Sequence, residues 1–184
     1  MKQKIQISHL VFLGTCIALS LVSKHLISPV TNLLTDLIRI PGGGAAAAFS
    51  IMFLIVGTSG LKWRWATTAS AFVQSMIALS LGMSSYQGLF AVLTYTVPGF
   101  VIDLLRLLLP RRDKSYFIIS CAVSNSAGAL LTNLLVFHLS GIPFLLWILV
   151  AATVGVAGGL IGEMIYQRIS KIPEYRRVIT CQES

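Results

Sequence analysis

PFLLWILVAATVGVAGGLIGEMIYQ occupies residues 143–167, and Glu163 is its only charged side chain. A bilayer core about 30 Å thick is crossed by roughly 20 residues of apolar helix, so this run is long enough to span one. Runs of the same character precede it at approximately 8–28, 44–61, 66–83, 88–109 and 116–138. Pro29, Pro41-Gly42-Gly43-Gly44, Gly82, Pro110 and Gly141-Ile142-Pro143 fall between the runs, where turns and helix ends need them. No run alternates apolar and polar residues as a transmembrane strand does. The sequence therefore predicts an all-α membrane protein, a bundle of six transmembrane helices in a single integral domain over residues 1–184.

Composition agrees with that solvent. The chain is 55% hydrophobic and only 11% charged, where a soluble domain is about 25% charged. A soluble enzyme and a disordered tail are excluded on this ground. Fourteen Lys and Arg against six Asp and Glu give a net charge of +8. Nucleic-acid binding would gather those cations on one polar face, whereas here they lie scattered between apolar runs.

Their placement predicts the orientation, because basic residues of short loops are retained on the cytoplasmic side. Lys2 and Lys4 precede the first run; Lys62 and Arg64 separate the second and third; Arg111, Arg112 and Lys114 separate the fourth and fifth; Arg168, Lys171, Arg176 and Arg177 follow the sixth. All of these fall on one side if both termini are cytoplasmic. Of the opposite loops, 84–87 and 139–142 hold no basic residue and 29–43 holds only Arg39. Lys24, near the outer end of the first run, is expected to snorkel to the surface on its long stem. Lys2 and Lys4 ahead of Leu10–Val22 also resemble a secretory signal, with Ala18-Leu19-Ser20 a poor cleavage site, and the runs that follow favour an uncleaved first span.

The outer loop 29–43 differs from its neighbours. Leu33, Leu34, Leu37 and Ile38 have helical spacing, with Thr31 or Asn32 as a cap and Asp36 and Arg39 three apart. Ten residues cannot span, so Thr31–Ile40 is expected as an interfacial helix. It reads either as an inert connector or as a lid hinged at Gly42–Gly44.

Catalytic groups are sparse, and the chain is expected not to be an enzyme. Gly42-Gly43-Gly44 lacks the Lys-Ser/Thr of a nucleotide-binding loop. Gly57-Thr58-Ser59-Gly60 matches the Gly-x-Ser-Gly of intramembrane serine proteases, but such a serine needs a histidine base, and His9 is the only histidine on its side. Cys16, Cys121 and Cys181 are far apart and read as packing groups rather than metal ligands; no metal or cofactor is expected. Asp103, with Arg106 at i+3, and Glu163, five residues before Arg168, lie near the cytoplasmic end of their runs, where local ion pairs satisfy them. The absence of a carboxylate at mid-membrane argues against a self-standing proton-coupled pump.

Uncharged polar groups concentrate instead toward the outer ends: His25, Tyr86, Gln87, Thr94, Tyr95, Asn133, His138 and Trp147, with Gln74 and Asn125 nearer mid-depth. Asn125, Ala129, Asn133 and Phe137 share one helix face, and amides in hydrocarbon need a neighbouring helix or a cavity as partner. The set suits a small heterocyclic solute better than an ion. Small residues at four-residue spacing, Gly14 and Ala18 in the first run and Ala151, Gly155 and Gly159 in the sixth, allow close helix contact within the bundle or with another subunit.

In these features the chain resembles the substrate-binding S components of energy-coupling factor (ECF) vitamin transporters. Its size, its six spans, its long first outer loop and Gly14-x-x-x-Ala18, where the family often has two alanines, carry the likeness. The resemblance implies a bacterial cell-membrane protein that binds a vitamin or its precursor from outside. It would do so through loops 29–43, 84–87 and 139–142 and the outer halves of the later spans. The candidate binding residues are then Asn125, Asn133, His138, Trp147, Tyr86, Gln87, Tyr95, Asp36 and Arg39. Gly14 and Ala18 would dock on a transmembrane coupling subunit, and two ATPase subunits would supply the energy. A secondary transporter and a membrane scaffold or assembly subunit are the competing readings.

Overall fold

The computed structural model describes residues 7–36, 43–61, 63–83, 88–109 and 114–172, and among these every regular element is helical. The helices are α1 (Ile7–Asp36), α2 (Gly43–Ser59), α3 (Ala66–Ser80), α4 (Phe90–Leu108), α5 (Lys114–Thr132) and α6 (Ile142–Ile169); a π-helical turn, Asn133–Phe137, extends α5. Four segments are long and apolar enough to cross a membrane: His9–Leu33, Phe90–Leu108, Lys114–Phe137 and Ile142–Ile169. α2 and α3, with 17 and 15 residues, reach only about 25 and 22 Å at a helical rise of about 1.5 Å per residue.

α3 shows which solvent the bundle is built for. Its buried face is Ala66, Thr67, Ser70, Ala71, Gln74, Ser75 and Ala78, while Phe72, Val73, Met76 and Ile77 are exposed. In water that arrangement would be inside out; against lipid tails it is the stable one, because polar groups must find partners within the protein. The same inversion runs through the molecule, with Asp103, Asn125, Asn133 and Glu163 buried while Leu26, Leu89, Leu108, Ile142 and Met164 are exposed. The protein is a helical, multi-pass membrane protein.

Two boundaries differ from the sequence expectation. α3 stops at Ser80 because Gly82 takes a left-handed φ of 66°, closing the end with Gly82 N–H to Leu79 O (3.1 Å) and Met83 N–H to Ala78 O (3.0 Å). α1, in contrast, does not stop before Pro29. It runs through it to Asp36, so residues 31–36, expected in a separate interfacial helix, are the last turns of α1. Proline removes one backbone donor, but nearby hydroxyls reinforce the turn: Thr31 Oγ1 donates to Ile27 O (3.2 Å) and Ser28 O (3.0 Å), and Thr35 Oγ1 to Thr31 O (2.7 Å). Breaking the helix in an apolar medium would expose more unpaired backbone than the proline itself does. Residues 37–42, the remainder of the expected lid, lie outside the described residues.

Contacts between helices fix the alternation. At one end Phe12, Leu109, Ile165 and Ile169 pack on a cluster containing Ile55, Ile102, Tyr116 and Phe117, joining the start of α1 and α5 to the ends of α2, α4 and α6. Arg64, Arg106, Lys114 and Arg168 belong to this end. At the other end Lys24 meets Tyr95 and Phe137 meets Trp147. The small residues of α6 are used inside the bundle: a β-carbon on Gly155 would stand 2.7 Å from Ala122 Cα, and one on Gly159 2.6 Å from Ile118 Cα. α5 and α6 therefore touch backbone to backbone.

The basic end holds a clamp that the i+3 spacing of Asp103 and Arg106 does not convey. The two charges are 3.9 Å apart, and each is engaged mainly elsewhere. Asp103 accepts hydrogen bonds from Thr67 N–H (3.3 Å), Thr68 N–H (2.8 Å) and Thr68 Oγ1 (2.8 Å). It thus caps α3 from α4, in place of Trp65, which supplies no side-chain cap. Arg106 donates to the carbonyls of Leu61 and Trp63 (3.1 Å for the latter), tying down the α2–α3 connection. Glu163 likewise engages Gln167 and Lys114, the latter at 4.0 Å, in place of the expected Arg168.

Candidate functional site

At the end opposite the clamp, α1, α2, α4, α5 and α6 enclose a cavity with about 590 Å³ of unfilled space, its open mouth included. α2 contributes Gly44, Ala47, Ser50, Ile51 and Leu54; α4 contributes Thr94, Tyr95 and Pro98; α5 and its π-turn contribute Asn125, Gly128, Ala129, Thr132 and Phe137; Lys24 and Trp147 complete the wall. Most of this lining is apolar, with a few convergent polar atoms, as in small-molecule sites generally.

Trp147 is the anchor. Its side chain is 1% exposed, its ring meets Phe137 edge-on at 5.5 Å, and its Nε1–H has no hydrogen-bond partner among the described residues. A buried indole normally finds one. Beside it, a β-carbon on Gly44 would lie 2.8 Å from Nε1, so the start of α2 approaches the indole only because residue 44 is glycine.

Asn125 spends both amide hydrogens on backbone carbonyls, Gly44 O at 3.0 Å and Ala151 O at 2.7 Å. This holds α2, α5 and α6 together and turns the remaining acceptor, Oδ1, into a wall group. Ser50 Oγ accepts from the fully buried Gln74 Nε2 at 2.7 Å, which leaves the hydroxyl hydrogen of Ser50 for the cavity. Lys24 stands over the Tyr95 ring, with Nζ 3.8 Å from the centroid. This geometry is a cation–π contact.

Of the residues singled out from the sequence, Asn125, Tyr95 and Trp147 come together on this cavity. Asn133 and His138 do not line it. Thr132, the last residue of α5 before the π-turn, shares the helix face of Asn125, Gly128 and Ala129 and takes the wall position. Asn133 instead caps the turn: Oδ1 accepts from Leu139 N–H (2.8 Å) and Nδ2 donates to Leu139 O (3.0 Å). His138 is exposed, at a left-handed φ of 50°. Tyr86, Gln87, Arg39 and the side chain of Asp36 lie outside what is described. Gly14 and Ala18 face outward on α1.

Sequence reasoning missed Lys24 and Ser50. Lys24 looked able to reach the surface because the helix was expected to end at Pro29. With α1 continuing about two turns beyond Pro29 to Asp36, the lysine lies part-way down a wall. Ser59, in the Gly-x-Ser-Gly motif, donates to Val56 O of its own helix (2.9 Å) and bonds no histidine among the described residues. No group of three His, Cys, Asp or Glu side chains suited to a metal occurs among the described residues. Comparison with known protein families, with curated proteins and with solved structures finds no match to this chain.

Proposed function

We propose that this protein is the substrate-binding subunit of an ECF-type importer, holding a vitamin or a related micronutrient in the cavity beside the later turns of α1 and the start of α2. The observation that carries the reading is the half-enclosed, largely apolar cavity walled by Trp147, with Lys24, Tyr95 and Asn125 converging on it. The chain would cross the bacterial cell membrane six times, α2 and α3 included, with both termini and the basic end cytoplasmic, as the distribution of lysine and arginine favours.

Energy would come from partners, a transmembrane coupling subunit and two ATPases. Gly14 and Ala18 are exposed, and a β-carbon on Gly14 would meet no described atom within 4 Å. That bare, small-residue face is open to a second membrane helix, whereas the glycine face of α6 is already filled by α5.

The test is ligand-induced thermal stabilisation of the purified chain in nanodiscs across a panel of vitamins and precursors, without ATP. Stabilisation by one compound, lost in Trp147→Phe, is expected. Failure of the whole panel, or robust solute uptake by vesicles holding only this chain, refutes the assignment.

A further inference from the structure

The cavity has a charge preference built into its walls. Lys24 is a cation on a largely apolar surface, and no described carboxylate pairs with it; its close neighbour is the Tyr95 ring face. No acidic residue is among the described lining. Of the other polar groups in the lining, the Ser50 hydroxyl can donate, while the Trp147 indole forms wall with its Nε1–H enclosed beside Gly44. Gly44 and Ala47 belong to the first turns of α2, where the leading N–H groups have no carbonyl of their own helix to bind and the helix dipole is positive. Against these stands one amide acceptor, Asn125 Oδ1.

We infer that the cavity takes a small organic anion, its carboxylate or phosphate held at Lys24 and its body seated against the Trp147 indole. The inference rests on the solute-binding reading above and adds the chemical class of the solute. An anion converts a partly buried cation without a carboxylate partner into a charge-assisted pair, whereas a cationic solute would add like charge to a site with no described counter-ion, and a neutral one would leave Lys24 as it is.

Four probes of similar size separate the cases: benzoate, phenyl phosphate, benzamide and benzylammonium, each titrated against the chain in nanodiscs with thermal unfolding as the readout. Benzoate or phenyl phosphate should stabilise at lower concentration than benzamide, and benzylammonium should do least. Lys24→Met should weaken the anion by about ten- to a hundredfold, the size of a lost charge-assisted hydrogen bond, with benzamide unchanged, and Lys24→Arg should restore the preference. Equal or better binding of benzamide or benzylammonium overturns the inference, as does an anion preference that survives Lys24→Met. If no probe binds, the vitamin panel decides. An anionic hit supports the inference, a neutral or cationic hit overturns it while leaving the solute-binding reading intact, and no hit in either set overturns both.

Discussion

Nε1 of Trp147 occupies the space that a β-carbon on Gly44 would need, with 2.8 Å between them. Two helices thus meet at the cavity through the one residue type that lets the indole pass. Gly44→Ala should push the ring off its seat against Phe137, destabilising the protein by about 1–3 kcal/mol and weakening solute binding. Combining it with Trp147→Phe tests the cause: the smaller ring removes the clash, so the double variant should be more stable than the sum of the single effects predicts. Strict additivity would show that the two residues do not compete for that space.

Asp103 serves α3 rather than its i+3 neighbour alone. Asp103→Ala leaves two N–H groups of α3 uncapped and Arg106 beside an empty position, and should cost about 3–5 kcal/mol. Asp103→Asn, which keeps an acceptor, should cost less. Unfolding followed by circular dichroism in nanodiscs measures both, and ligand affinity should stay unchanged because the cavity is at the opposite end.

The glycines of α6 and of α1 should respond oppositely. Gly159→Leu drives a side chain into Phe117 O and Ile118 Cα, which a β-carbon alone would already meet at 2.7 and 2.6 Å, and should abolish the folded state. Gly14→Leu meets open space and should leave the isolated chain as stable as before. Under the proposed function, the Gly14 variant should bind solute normally yet fail to co-purify with the coupling subunit.

Asn133 and Asn125 separate in the same way. Asn133→Ala removes the cap on Leu139 and should cost about 1–2 kcal/mol with little change in affinity. Asn125→Ala removes the amide that ties Gly44 O to Ala151 O at the cavity wall, so both stability and binding should fall. Equal loss of affinity in the two variants would return Asn133 to the site.

Much of this arrangement is legible in the residues themselves. Apolar runs long enough for a bilayer, separated by proline and glycine, announce helices because in hydrocarbon the backbone has no other way to satisfy its polar groups. Asn125, Tyr95 and Trp147 stood out as polar groups that lipid would not accept. Lys24 did not, because its role depends on whether α1 ends at Pro29, and that depends on hydroxyls and surroundings rather than on the proline. Asn133 and Phe137 looked alike on a regular helix, and only the π-turn gave one to the cap and the other to the cavity.

By itself, then, the sequence determined the solvent of this protein, its helical class and the polar residues it would have to bury, since these follow from local composition and the helical repeat. The tertiary structure alone decided which of those residues meet: the trans cap by Asp103, the fit of Gly44 to Trp147 and the exposure of Lys24 to a shared cavity. Such pairings depend on distances between segments far apart in the chain, set by backbone packing that no single helix's periodicity encodes.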